Sequence, residues 1–234
     1  MGVTPEEIII FQIGNIIITG TVFYTWIVMI LLIMGSWLIT RTLSVGMPIS
    51  RWQNGLEVII GAIRQQIKEV TQDEDPDKYI PFIGTLFIFI ALSNTLDMVP
   101  FFQPPTGSIY TPGALALCVF FAVPFFGIQQ KGVKNYFKSY IKPSPIMLPF
   151  NIIGEFSRTL SLAVRLFGNV MSGSLIVAIL VGIIPLIFPI VMQAFSILIG
   201  LIQAYIFAIL AMVYIASASR IQKENNTESE IKGE

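Results

Sequence analysis

Apolar residues in this chain form long runs that polar residues interrupt rather than alternate with. Three runs, 18–40, 81–100 and 113–130, each hold the stretch of about 20 apolar residues that carries a helix across a bilayer. A fourth apolar region, 147–219, is broken once, at Pro185 and Pro189. It predicts two long helices, 147–183 and 190–219, joined by a short turn. The first would measure about 55 Å at 1.5 Å per residue, against a hydrocarbon core of about 30 Å. It must therefore tilt steeply, with a break at Gly168 or Gly173 as the alternative. The segment 51–72 has another rhythm: Trp52, Leu56, Ile59, Ile60, Ile63 and Ile67 recur at helical spacing with Gln, Arg, Lys and Glu opposite. That pattern predicts an amphipathic helix lying on a membrane surface or a partner, ended by the acidic run Asp73–Asp77. Lys131–Lys142 reads as a basic surface loop, and the polar stretch 220–234 as a disordered tail. The expected fold is an all-α integral membrane protein, one membrane domain over 1–234, with about five crossings, a surface helix and a tilted C-terminal hairpin.

Composition agrees: 54% of the 234 residues are hydrophobic and 12% charged, where soluble domains carry about 25% charged residues. With 14 basic and 14 acidic side chains there is no basic surplus for nucleic acid, and the absence of histidine excludes a histidine proton relay or a histidine metal site. The lone Cys118 reads as buried filler. The N-terminus lacks a basic n-region and an A-x-A-like site, so no cleavable signal peptide is expected.

Charge then orients the chain. With the N-terminus outside and five crossings, the inner side receives every lysine and arginine but two of the 14. The outer segments 1–17, 101–112 and 184–189 receive none, which the positive-inside rule reads as N-terminus out and C-terminus in. The two exceptions, Arg158 and Arg165, lie within the hairpin. Together with Asp97 and Glu155 they are the ionisable groups placed in the membrane, and such groups are default functional candidates.

At 100° per residue, Asn151, Gly154, Arg158, Ser161, Gly168, Asn169 and Ser172 all fall within about 60° of Arg165. A polar and small-residue stripe of this kind faces water or other helices, not lipid. On the second hairpin helix Ser196, Gly200, Gln203 and Tyr214 share a sparser stripe, for which plain helix packing is the alternative. Arg158, nearer the inner side, suits a snorkelling anchor as well as a functional charge. Arg165 lies too deep for that, and no acidic residue stands one turn away, so its counter-ion is expected on another chain. Ser93, Asn94, Thr95 and Asp97, just before Pro100, either line a water-filled access from outside or mark an interfacial helix end.

Arg165 to Asn169, RLFGN, preceded by Ser161-Leu162 and followed by LIQAYIFAILAMVYIA at 201–216, resembles the signature of subunit a of F-type ATP synthases. PPTGS at 104–108 and LALCVFFAVPFFG at 115–127 look like a variant prokaryotic branch often associated with sodium. The resemblance implies a stator in the prokaryotic plasma membrane, within the ATP synthase complex, against which a ring of c subunits turns, with b subunits as the peripheral stalk. It implies that Arg165 meets the ring's buried carboxylate between two offset half-channels for protons or sodium, with Asn169 and Gln203 as polar neighbours. No resident cofactor or metal is implied. The chain departs from the family in two places. Many members carry Glu or His nine residues after the arginine and seven before the glutamine, where this chain has Ser174 and Ser196. The usual proton relay is thus absent as such, and Asp97 or Glu155 are the candidates to replace it. Five crossings without an inverted repeat speak against the rival reading of a stand-alone channel or secondary transporter. A purely structural scaffold would tolerate loss of Arg165. With no nucleotide-binding loop, the chain is read as a non-catalytic, ion-translocating subunit.

Overall fold

The computed structural model describes residues 9–13, 16–41, 51–71, 76–99, 102–141, 146–183 and 188–231. Seven helices follow a short hairpin: α1 Gly20–Arg41, α2 Arg51–Thr71, α3 Ile80–Thr95, α4 Tyr110–Lys131, α5 Val133–Ile141, α6 Met147–Ile183 and α7 Phe188–Ile231. Five of them, α1, α3, α4, α6 and α7, are long and apolar enough to cross a membrane. The all-α membrane architecture is therefore observed, with the amphipathic helix α2 beside it.

The structure differs from the sequence expectation at four places. Ahead of α1, strands β1 (Ile9–Ile13) and β2 (Ile16–Thr19) pair antiparallel, Ile13 facing Ile16. Within Lys131–Lys142, where a loop was expected, α5 forms; Val133, Tyr136, Phe137 and Tyr140 are spaced for one apolar helix face. Gly132, at φ +75°, breaks the chain between α4 and α5, a conformation that favours glycine. The buried Tyr136 ring then folds back onto Gly127, where any Cβ would lie 2.5 Å from the ring. α7 runs on past Ser219 to Ile231, through the stretch expected as a disordered tail. No proline or glycine interrupts 220–231, and Lys, Gln and Glu are good helix formers. Finally, Cys118 is exposed rather than buried: α4 turns Ala116, Val119, Ala122 and Val123 inward, and residue 118 lies off that face.

α6 is one helix of 37 residues with no break at Gly168 or Gly173. The turn at 184–187 lies outside the described residues. α7 is the central element, in contact with α2, α3, α4 and α6. Its inward row alternates small and large side chains, Gly200, Ala204, Phe207, Ala208, Ala211 and Ile215 being buried. Small residues let membrane helices approach closely where lipid gives little hydrophobic drive. α2 lies against α3 and α7 over a largely apolar groove of about 520 Å3. Tyr205 Oη donates across it to Gln66 Oε1 at 3.1 Å.

Candidate functional site

The polar run at the end of α3 divides by function. Ser93 and Thr95 donate their hydroxyls to the carbonyls of Phe89 and Ala91 four residues back, each at 2.7 Å, and are thereby satisfied within their own helix. Asn94 and Asp97, three residues apart and so on one face, turn to α7 instead. α3 tightens into a 3-10 turn at Leu96–Met98 and gives way at Val99, whose extended backbone (φ −77°, ψ 122°) is what a residue before proline prefers.

Around Asp97 the structure gathers groups from four parts of the chain. Gln193 Nε2 donates to the Asp97 carbonyl at 2.8 Å and reaches its carboxylate Oδ2 at 3.4 Å. Ser196 Oγ lies 3.5 Å from the same Oδ2. Asn94 Nδ2 donates to the carbonyl of Gly200 at 2.9 Å, and Thr106 Oγ1 donates to Asn94 Oδ1 at 2.7 Å. Asn169 Nδ2 donates to Gln203 Oε1 at 2.8 Å, joining α6 to α7. Gln203 is 2% exposed, and its Nε2 is a buried donor with no partner among the described residues. Asn94, Asp97, Asn169, Ser196 and Gln203 all line one void of about 30 Å3. A void needs about 10–15 Å3 to hold a water, so this one takes one or two.

A second cavity, of about 390 Å3, opens toward the other end of the hairpin. Asn151, Glu155, Arg158, Thr159, Tyr214 and Ser217 supply its polar wall. The Arg158 guanidinium stands 5.7 Å over the Tyr214 ring, a cation–π distance. Arg165 lies on α6 between the two cavities. It is about 10 Å along the axis from Arg158 and about 6 Å from Asn169 at 1.5 Å per residue.

Arg158, Ser161, Arg165, Asn169 and Ser172 are all exposed. The stripe expected to avoid lipid is thus left uncovered by its own chain. The ion pair found among the described residues, Arg64–Asp77, lies elsewhere, and no described carboxylate pairs with Arg165. Ser172 donates to the Asn169 carbonyl at 3.1 Å, at the back of the Asn169–Gln203 pair. Ser174 is spent on its own helix, donating to the Val170 carbonyl at 3.1 Å, and does not line the void. Asp97 therefore lies against Ser196 and not against Ser174. Gln193 and Thr106 were not singled out from the sequence. Gln193 could have been, as one of two glutamines in the apolar part of α7.

The Gln203–Asn169 bond gives a graded prediction. Gln203→Leu keeps the volume, removes one hydrogen bond and leaves Asn169 unpaired. If the function implied by the sequence resemblance holds, ATP-driven ion uptake by membrane vesicles is expected to fall about tenfold with the complex still assembled. Wild-type rates, or complete loss, would contradict this.

The comparisons with known proteins agree with one another. The family model described as ATP synthase A chain matches residues 22–216. A protein named ATP synthase subunit a 2, from Acaryochloris marina, is 58% identical over 232 residues, 99% of each chain. ATP synthase subunit a of Albidiferax ferrireducens is 56% identical over 223 residues, 95% of this chain and 96% of that protein. ATP synthase subunit a of Nitrosospira multiformis is 53% identical over 233 residues, 100% of this chain and 92% of that one.

Proposed function

The chain belongs to the ATP synthase A chain family, and on that premise we propose that its two polar cavities are separate half-channels for the transported ion, with Arg165 as the barrier between them. The chain is the membrane stator subunit of an ATP synthase and a multi-pass membrane protein. The observation that carries the proposal is the position of Arg165: an exposed cation on α6, unpaired among the described residues, between one cavity at Asp97 and another at Glu155 and Arg158.

On this reading the exposed stripe of α6 faces a ring of c subunits, each with a buried carboxylate. An ion reaches the ring through the pocket of Asp97, Asn94 and Ser196 and leaves through the cavity of Asn151, Glu155 and Arg158. Asp97 is the group that exchanges the ion where Ser174 and Ser196 cannot. When a ring carboxylate comes to about 4 Å from Arg165, the attraction is about 4 kcal/mol at an effective dielectric near 20. This favours the ionised carboxylate and releases its proton or sodium ion. The fixed positive charge also repels any cation moving directly from one cavity to the other. Ions must then travel around with the ring, and each charge crossing about 100 mV supplies about 2.3 kcal/mol for rotation. The chain itself performs no ATP chemistry; the peripheral-stalk b subunits hold it still. The charge map supports an orientation with the Asp97 pocket outside, and the membrane is read as a prokaryotic plasma membrane from the family resemblance.

Two cysteines test this, introduced after replacement of the exposed Cys118. In the assembled complex, Ser196→Cys is expected to react with silver ion, small enough for the void, added outside, and Ser217→Cys with silver ion added inside. Reaction of both from one side would refute separate half-channels. Ion flux through the purified chain alone in liposomes would favour a stand-alone channel.

A further inference from the structure

The connection between α3 and α4, placed outside by the charge map, is built into the protein. Pro104, Pro105, Thr106, Gly107 and Ser108 are all buried, Thr106 and Ser108 at 0% exposure. Non-helical backbone is tolerated among membrane helices where it is buried in protein or lines a cavity, and Pro104 lines the void beside Asp97. At Gly107 a Cβ would lie 3.6 Å from Val170 Cγ1, which seats the segment on α6 next to Asn169.

One hydrogen-bond chain ties this segment to the site. Thr106 Oγ1 donates to Asn94 Oδ1, and Asn94 Nδ2 donates to the Gly200 carbonyl. Both ends of a single buried amide are thereby held, one by the connection and one by α7. The Asn94 amide also forms part of the void wall, one helical turn before Asp97. We propose that Thr106, acting through Asn94, is a positioning residue of the ion path: it fixes the spacing of α3 and α7, which keeps the Asp97 carboxylate against Ser196 and the void at the size of one or two waters. Thr106 touches neither the ion nor the ring. The inference rests on the reading of Asp97 as the ion-exchanging group of the outer path.

The test uses the whole ATP synthase in liposomes, with ATP synthesis driven by a potassium diffusion potential. Rates are measured against lumenal pH at fixed sodium, and against lumenal sodium chloride at fixed pH, because complexes that reach added ADP carry the Asp97 side in the lumen. Thr106→Val removes the donor at nearly constant shape. It is expected to shift the half-saturating concentration of the transported ion about fivefold, with the maximal rate within about twofold, because one hydrogen bond of ordinary strength is lost. Thr106→Ser is expected to restore the wild-type curve. In an Asp97→Asn background, which is itself expected to shift the curve, Thr106→Val should add nothing. If Thr106→Val complex cannot be recovered, Thr106→Cys, with its weak S–H donor, is expected to give a smaller shift in the same direction. An unshifted curve for the Thr106 variants beside a shifted one for Asp97→Asn overturns this inference alone. A fall in maximal rate without a shift makes Thr106 merely structural and also overturns it. An unshifted curve for Asp97→Asn overturns the outer-path reading and the inference together.

Discussion

Arg165→Ala is expected to abolish ATP-driven ion uptake while the complex still assembles. The side chain is exposed and makes no described ion pair, so its removal opens no cavity and leaves no partner stranded among the described residues. On the proposed mechanism, what disappears is the attraction to a passing ring carboxylate, about 4 kcal/mol at 4 Å and an effective dielectric near 20, or roughly a thousandfold in the population of the ionised form. The repulsion proposed to keep the two cavities electrically separate goes with it. Uptake by membrane vesicles, read beside the amount of complex on a native gel, is the measurement. Coupled uptake that persists in the variant would remove the basis for the mechanism. Loss of the complex itself would make Arg165 a structural residue.

Gly200→Val is expected to have the second-largest effect, and through assembly. A Cβ at residue 200 would lie 2.7 Å from Asn94 Cβ, closer than side-chain atoms pack. α3 and α7 would have to separate, at a cost of about 1–3 kcal/mol for overpacking. The Asn94–Gly200 bond would then fail, and a buried amide left unpaired costs about 1–3 kcal/mol more. Much less assembled complex and a lower denaturation temperature are expected. Gly200→Ala should do the same to a smaller degree. Wild-type levels of Gly200→Val complex would mean that the close approach of α3 and α7 is not needed.

Hydrophobic run length located α1, α3, α4, α6 and α7, because a membrane crossing is a property of one continuous segment and needs no knowledge of its neighbours. The Arg165 stripe was legible for a similar reason: it is a periodicity within a single helix. Pairing across helices was not. Ser93, Asn94, Thr95 and Asp97 look alike in sequence, yet two of them bond their own helix and two reach α7. A serine or threonine hydroxyl can always turn back to a carbonyl four residues earlier, and only the packed neighbours decide whether it does. Ser174 took that course and Ser196 did not. Thr106 was hidden because its partner, Asn94, belongs to another element. The approach of Asp97 to Ser196 needed three dimensions, since 99 residues separate the two side chains.

The smallness of the void beside Asp97 also has a consequence for supply. If the outer path runs through it as proposed, a pocket of about 30 Å3 stores no reserve, so each ion must arrive from the medium at the moment of need. With a diffusional ceiling of about 10⁹ M⁻¹s⁻¹, protons at about pH 8 arrive about 10 times per second, while sodium at about 10 mM arrives about 10⁷ times per second. A proton-fed motor drawing on this pocket in alkaline surroundings would therefore depend on buffer molecules and water to deliver its protons, whereas a sodium-fed one would not.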